Sequence, residues 1–163
     1  MIDEEVAAVI LAIIVVGGVF AFSQVFMAGR VVEPFSEFGV LGSRMKIGDY
    51  PRIVLVNDTF RLYLYVGNHE GRIMYYILYV KLGDKSTFIN ESVPADAPII
   101  ASYELILPSG ENKTIPVDLS ISRPMVNARL IFEMWVLDGD LKPRYHGRWL
   151  QLWLNVTGLP TPP

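Results

Sequence analysis

Cysteine is absent from the 163-residue sequence, and only two histidines occur, His69 and His146. The first absence excludes disulfides, thiolate zinc sites and cysteine nucleophiles together. The second leaves no multi-histidine metal centre. Charge is scarce too: 14 Lys and Arg against 17 Asp and Glu leave a net charge of -3. So small an imbalance gives no electrostatic footprint for nucleic acid. Nucleophile elbow, phosphate loop, zinc spacing and carboxylate pair are all missing. No catalytic, cofactor-binding or metal-ligating residues are therefore expected, and the protein is expected not to be an enzyme. After residue 28 no apolar stripe at helical spacing appears, so strands must build the domain.

What is present begins with one long hydrophobic run. Residues 6–28 read VAAVILAIIVVGGVFAFSQVFMA, without a charge and with only Ser23 and Gln24 strongly polar. At about 1.5 Å per residue this spans roughly 30–35 Å, enough for a bilayer core. A cleaved signal peptide would want a basic start and a small-x-small cleavage site. Here Asp3, Glu4 and Glu5 precede the run, and Phe26-Met27-Ala28 is a poor cleavage site. A retained single transmembrane helix is the expectation, meeting the lipid bilayer through residues 6–28. A buried helix of a soluble protein would be striped rather than apolar all round.

Orientation receives two opposed signals. Arg30 follows the run while acids precede it, which favours a cytoplasmic C-terminal domain. Against this, four of the six asparagines, Asn57, Asn90, Asn112 and Asn155, open N-x-S/T triplets. Such triplets are used only where a glycosyltransferase reaches them, on the exported side. Four sequons outweigh one arginine, and the domain is expected outside the cytoplasm.

The domain is organised around residues 60–82. Phe60, Leu62, Leu64 and Val66 alternate with Arg61, Tyr63 and Tyr65; Met74, Tyr76, Leu78, Val80 and Leu82 alternate with Tyr75, Ile77, Tyr79 and Lys81. Period two means strands with one apolar face. The five residues from Gly67 to Gly71 read as the turn of a hairpin. On this reading Lys81 faces solvent and is cheap to truncate. Further runs cover residues 35–41, 52–56, 86–90, 99–107, 113–119, 127–137 and 148–156. The expectation is an all-β, antiparallel, Ig-like sandwich of about eight strands. The domain organisation is an anchor over 1–32, a sandwich over 33–157 and a proline-rich tail over 158–163.

Phe35-Ser-Glu-Phe-Gly-Val-Leu-Gly42, Gly48-Asp-Tyr-Pro51, Val66-Gly-Asn-His-Glu-Gly71 and Tyr75-Tyr76 together resemble the family named domain of unknown function 1616, predicted archaeal membrane proteins. The likeness covers about residues 35–157. It implies an archaeal membrane location and an extracytoplasmic β-domain, and it supplies no reaction, cofactor or site residue. Some relatives look as if they carry more than one span, whereas this sequence shows one.

Three clusters could carry chemistry. Asn68-His69-Glu70 has no third ligand nearby in sequence and reads as a turn in which Asn68 accepts positive φ. Asp138-Gly-Asp140 resembles the start of a calcium loop, but its later ligands are missing, which favours a solvated turn. Tyr63, Tyr65, Tyr75, Tyr79, Trp149 and Trp153 are outward by alternation, and either form an aromatic platform or are covered. The leading functional expectation is a glycosylated, membrane-anchored, non-enzymatic β-domain with a protein partner in the envelope, or self-associating. The alternative is a subunit of an archaeal pilus-like filament, a layout that also places an apolar helix before a β-domain. Against it, no basic processing leader precedes the helix.

Overall fold

The structure is a computed structural model that describes residues 3–28, 33–137, 139 and 141–158. It divides into two compact units, residues 1–33 and 34–163. The first is the helix α1 (Glu4–Ala28), whose described side chains through Val25 are all exposed. Glu4 and Glu5 occupy its first turn, where carboxylates meet the positive end of the helix dipole.

Eight strands form the second unit: β1 (Phe35–Leu41), β2 (Ile53–Leu55), β3 (Thr59–His69), β4 (Met74–Gly83), β5 (Ile99–Leu107), β6 (Asn112–Ser120), β7 (Met125–Leu137) and β8 (Pro143–Thr157). They make two sheets, β1-β3-β6 and β2-β8-β7-β4-β5. The expected β-sandwich is therefore present. One pairing departs from an antiparallel fold: β2 runs parallel to β8, with Ile53 opposite Asn155.

The alternation in the sequence names the core correctly. Leu62, Leu64, Val66, Val117 and Leu119 of the smaller sheet meet Tyr76, Leu78, Val80, Leu130, Phe132 and Met134 of the larger, all essentially without solvent contact. Burying each such side chain is worth about 1.5–3 kcal/mol, so this layer is the principal source of stability.

The hairpin expected over residues 60–82 does not form. β3 pairs with β1 and β6, β4 pairs with β5 and β7, and the chain crosses from one sheet to the other between them. An amide holds the corner. Asn68 is fully buried, and its Nδ2 donates to the carbonyls of Arg72 and Leu107, both at 2.8 Å. Its Oδ1 accepts the Glu70 N–H at 2.9 Å. The backbone of Asn68 closes two more bonds, to Glu111 O and from Gly110 N, tying this corner to the β5–β6 crossing. Positive φ falls on Gly71 (73°) rather than on Asn68.

Residues 86–90 are not a strand. Asp84 Oδ1 accepts from Ser86 N and Ser86 Oγ at 2.8 and 2.7 Å, which bends the backbone out of any ladder. These hydrogen bonds hold the Asp84 carboxyl below its ordinary pKa. Residues 84–98 form a strap that folds back over the outer face of the larger sheet. Ile89, Ala95 and Ala97 pack there on Ile131 and Trp149, making a second, small core.

Beneath this strap lies Lys81, which is therefore not solvent-facing: it is 7% exposed and its partner Glu133 is 0% exposed. Lys81 Nζ sits 2.9 Å from Glu133 Oε2 and donates to Ala95 O at 2.7 Å. Glu133 Oε1 accepts the Ala95 N–H at 2.6 Å, and its Oε2 accepts from Trp135 Nε1 at 2.8 Å. One ion pair thus satisfies both backbone groups of Ala95 and clamps the strap to the sheet.

Candidate functional site

The register of β1 on β3 sets Phe35 opposite His69, Ser36 opposite Asn68 and Glu37 opposite Gly67. Two motifs over thirty residues apart thereby become one end of the sandwich. Phe35 stacks on His69 with ring centroids 4.6 Å apart. Glu37 Oε2 accepts from Tyr65 OH at 2.7 Å and lies 3.6 Å from His69 Nε2. Donating this hydrogen bond to Glu37 raises the Tyr65 pKa. A Cβ on Gly67 would press on the Glu37 side chain and displace its carboxylate from this arrangement.

Behind this surface runs a polar chain. Ser36 Oγ donates to Glu70 Oε1 at 2.7 Å and lies 2.9 Å from Tyr76 OH. His146, delivered by β8, places Nε2 3.4 Å from the same Glu70 oxygen. Its Nδ1 is buried without a hydrogen bond to the protein. Burial pushes the His146 pKa down against the opposing pull of Glu70, and burial raises that of Tyr76. Both histidines of the sequence thus stand beside a glutamate at the same end of the fold. The Ser36 hydroxyl donates to the Glu70 carboxylate and not to an imidazole, an arrangement different from a serine–histidine nucleophile pair. Among the described residues no group of three His, Cys, Asp or Glu side chains could hold a metal ion.

The aromatic residues separate onto two outer faces. Tyr63 and Tyr65 belong to the smaller sheet; Tyr75, Tyr79, Trp149 and Trp153 belong to the larger. Tyr65 and Trp149 nevertheless share a groove of about 440 Å³ where β1 faces β8, with Phe35, Glu37 and Arg148 on its walls. On the larger sheet the row is built in. Tyr79 meets Trp135 edge-on at 5.7 Å, and Trp135 meets Tyr145 at 5.5 Å. Arg129 lies against Trp149 and Trp153 at 5.8 and 5.4 Å and donates to Gln151 and to Thr87 O of the strap. Tyr145 OH donates to Asn90 O, and burial pushes its pKa up to about 12. The strap covers much of the face, leaving Trp153 42% exposed. Sequence reasoning passed over Trp135, Tyr145 and Arg129. The available signal was Lys81 and Glu133, charges at outward positions between apolar neighbours in β4 and β7.

The four sequon asparagines fall on different kinds of site. Asn57 is exposed at a turn with φ 63°. Asn90 is exposed in the strap, its Oδ1 accepting the N–H groups of Ser92 and Val93. Asn112 is exposed at the start of β6. Asn155 is half-buried between β2 and β7, and its Oδ1 accepts the Asn127 N–H at 2.8 Å. Asp138 and Asp140 lie outside the described residues, as does Arg30.

The profile of the family described as domain of unknown function (DUF1616) matches residues 30–153. The chain belongs to the DUF1616 family. No curated protein matches it in sequence. Among solved structures it is similar to the CARDB domain of the PF1109 protein from Pyrococcus furiosus, crystallised in complex with di-metal ions. That likeness has a TM-score of 0.50 at 12% identity, covering 79% of this chain and 95% of that one. It is also similar to part of a β-glucosidase from Listeria innocua in complex with isofagomine. The TM-score there is 0.52 at 12% identity over 77% of this chain, but the match covers only 16% of the enzyme. At such identities the likeness is one of fold, and that fold is the β-sandwich. In this DUF1616 member residues 35–38 and 66–69 are the two sides of a single β-ladder, with Glu70 just past its end.

Proposed function

We propose that this DUF1616 protein is a membrane-anchored, non-enzymatic, extracytoplasmic β-sandwich, N-glycosylated, that works through protein contacts in the envelope of an archaeal cell. The supporting observation is a juxtaposition in one chain. An apolar helix of spanning length, Glu4–Val25, precedes a sandwich carrying four sequons, three of whose asparagines are exposed. The helix needs lipid to cover it, because it is apolar on every side. The sequons need the exported compartment. An exported sandwich without a convergent catalytic geometry among its described residues is suited to adhesion or assembly.

The test is intact-mass measurement on protein from its native host, together with protease treatment of intact cells. Glycans are expected on at least two of Asn57, Asn90 and Asn112, with Asn155 the poorest acceptor because strands flank it on both sides. Protease should reach the domain without lysis. An unmodified mass with a protected domain overturns the proposal and places the domain in the cytoplasm. Filaments in purified envelopes would assign it instead to the pilus-like alternative.

A further inference from the structure

Among the described residues the sandwich leaves four strand edges, and three are blunted. β2 is three residues long. β6 carries Pro116 at its middle with Lys113 and Asp118 on either side. β1 follows Pro34, contains Gly39, and has the Val40 carbonyl capped by Tyr50 OH at 2.8 Å. Short edges, prolines and charges are the devices by which sheets avoid pairing with other chains. β5 (IIASYELIL) is different. It closes the five-stranded sheet, pairs only with β4 among the described residues, contains no proline and has one charge, Glu104. None of the four sequons lies on it. Its register shifts beside Val80 and Lys81, leaving residues 101–107 as a regular edge.

We infer that β5 is the self-association edge of this protein, pairing antiparallel with β5 of a second copy about a two-fold axis at Tyr103. Physical chemistry weighs against two kinds of alternative register. An axis lying between two residues would put the inward face of one copy level with the outward face of the other. An axis at Glu104 would set the two Glu104 carboxylates directly opposite one another, which costs stability. An axis at Tyr103 sets Ala101 opposite Leu105 on the inner face, apolar on apolar. On the outer face it sets Ser102 opposite Glu104, twice per dimer: a hydroxyl donor opposite a carboxylate that accepts from Tyr75 OH within the single copy and keeps further lone pairs for a second donor. Ser102 and Glu104 are both exposed in the single copy. The two-fold makes the contact closed and isologous, so it ends at the dimer. It holds for either orientation of the domain across the membrane.

The absence of cysteine makes the test clean. Full-length protein in detergent micelles, and again in membranes, is prepared as Ser102→Cys and as Glu104→Cys, one of them carrying a size tag. Each is oxidised alone and in an equimolar mixture. Directly opposed residues in an antiparallel pair have Cα atoms about 4.5–5.5 Å apart, within disulfide range, whereas diagonal ones are about 7–8 Å apart. The mixed disulfide is therefore expected to exceed either homodimer several-fold. A second pair of variants reads the charge. Ser102→Glu is expected to weaken dimerisation by about 2- to 30-fold and Ser102→Lys to strengthen it, without loss of monomer folding because Ser102 is exposed. Mixed and homotypic disulfides in equal yield, or no change in dimerisation from either charge variant, overturn the inference.

Discussion

Lys81 Nζ lies 2.9 Å from Glu133 Oε2 in a site almost closed to solvent, with Ala95 of the strap bonded to both side chains. A buried pair of this kind is costly to break, because the remaining charge has lost its partner and has no water. Lys81→Ala is expected to cost about 3–5 kcal/mol. Lys85→Ala, on the exposed start of the strap, should change stability by about 0.5 kcal/mol or less. Urea unfolding of both variants measures the difference, and equal midpoints would mean that the strap is not clamped through Lys81.

The corner at Asn68 makes its own demand on side-chain chemistry. Two carbonyls receive the Nδ2 protons and one backbone N–H meets Oδ1. Asn68→Ala leaves these buried groups unpaired, at about 1–3 kcal/mol each in the worst case. Asn68→Asp keeps the shape but turns an anion toward the carbonyls of Arg72 and Leu107. It should be the more destabilising of the two at neutral pH, and denaturant titration of both variants decides the order.

His146 gives the fold a pH-sensitive joint. Burial lowers its folded pKa below the ordinary value of 6.5, with Glu70 opposing that shift. The unfolded chain therefore binds the proton more readily. The contribution is fully present above pH 6.5 and is lost as pH falls through 6.5 toward the lowered folded value. His146→Gln should flatten stability across that window. A separate loss, at more acid pH, belongs to Asp118, whose pKa the Arg61 guanidinium depresses through bonds of 2.6 Å, and to Asp84, held down by its bonds from Ser86. His146→Gln should leave that second loss in place, and thermal unfolding at stepped pH reads both windows.

The two inner faces should respond alike to truncation. Leu64 and Leu78 are fully buried on opposite sheets, so Leu64→Ala and Leu78→Ala should each cost about 2–5 kcal/mol. Deleting residues 1–30 should leave a soluble domain that still unfolds cooperatively, since residues 34–163 carry their own core. Circular dichroism melts of the truncated domain and of both variants provide the measurement. A truncated domain without a transition would show that it depends on the helix.

Period-two alternation determined which residues face the space between the two sheets, and that assignment holds from Leu62 to Val156 because the face a side chain occupies on a pleated strand depends only on the parity of position. The apolar run determined the helix for a similar reason, since its uniformity excludes a striped core helix. Partnership was beyond the sequence. A hairpin and a sheet crossing bury the same residues of β3 and β4. The choice rests on Asn68 reaching Leu107, a contact 39 positions away. The outward parity of Lys81 was read correctly, and its exposure was not, because the strap that covers it returns from residues 84–98. The polar chain from Ser36 through Glu70 to His146 joins positions more than a hundred residues apart, and no local spacing reveals it. Alternation is a local property of the chain, whereas strand partners and the covering of an outer face are set by long-range closure of the two sheets.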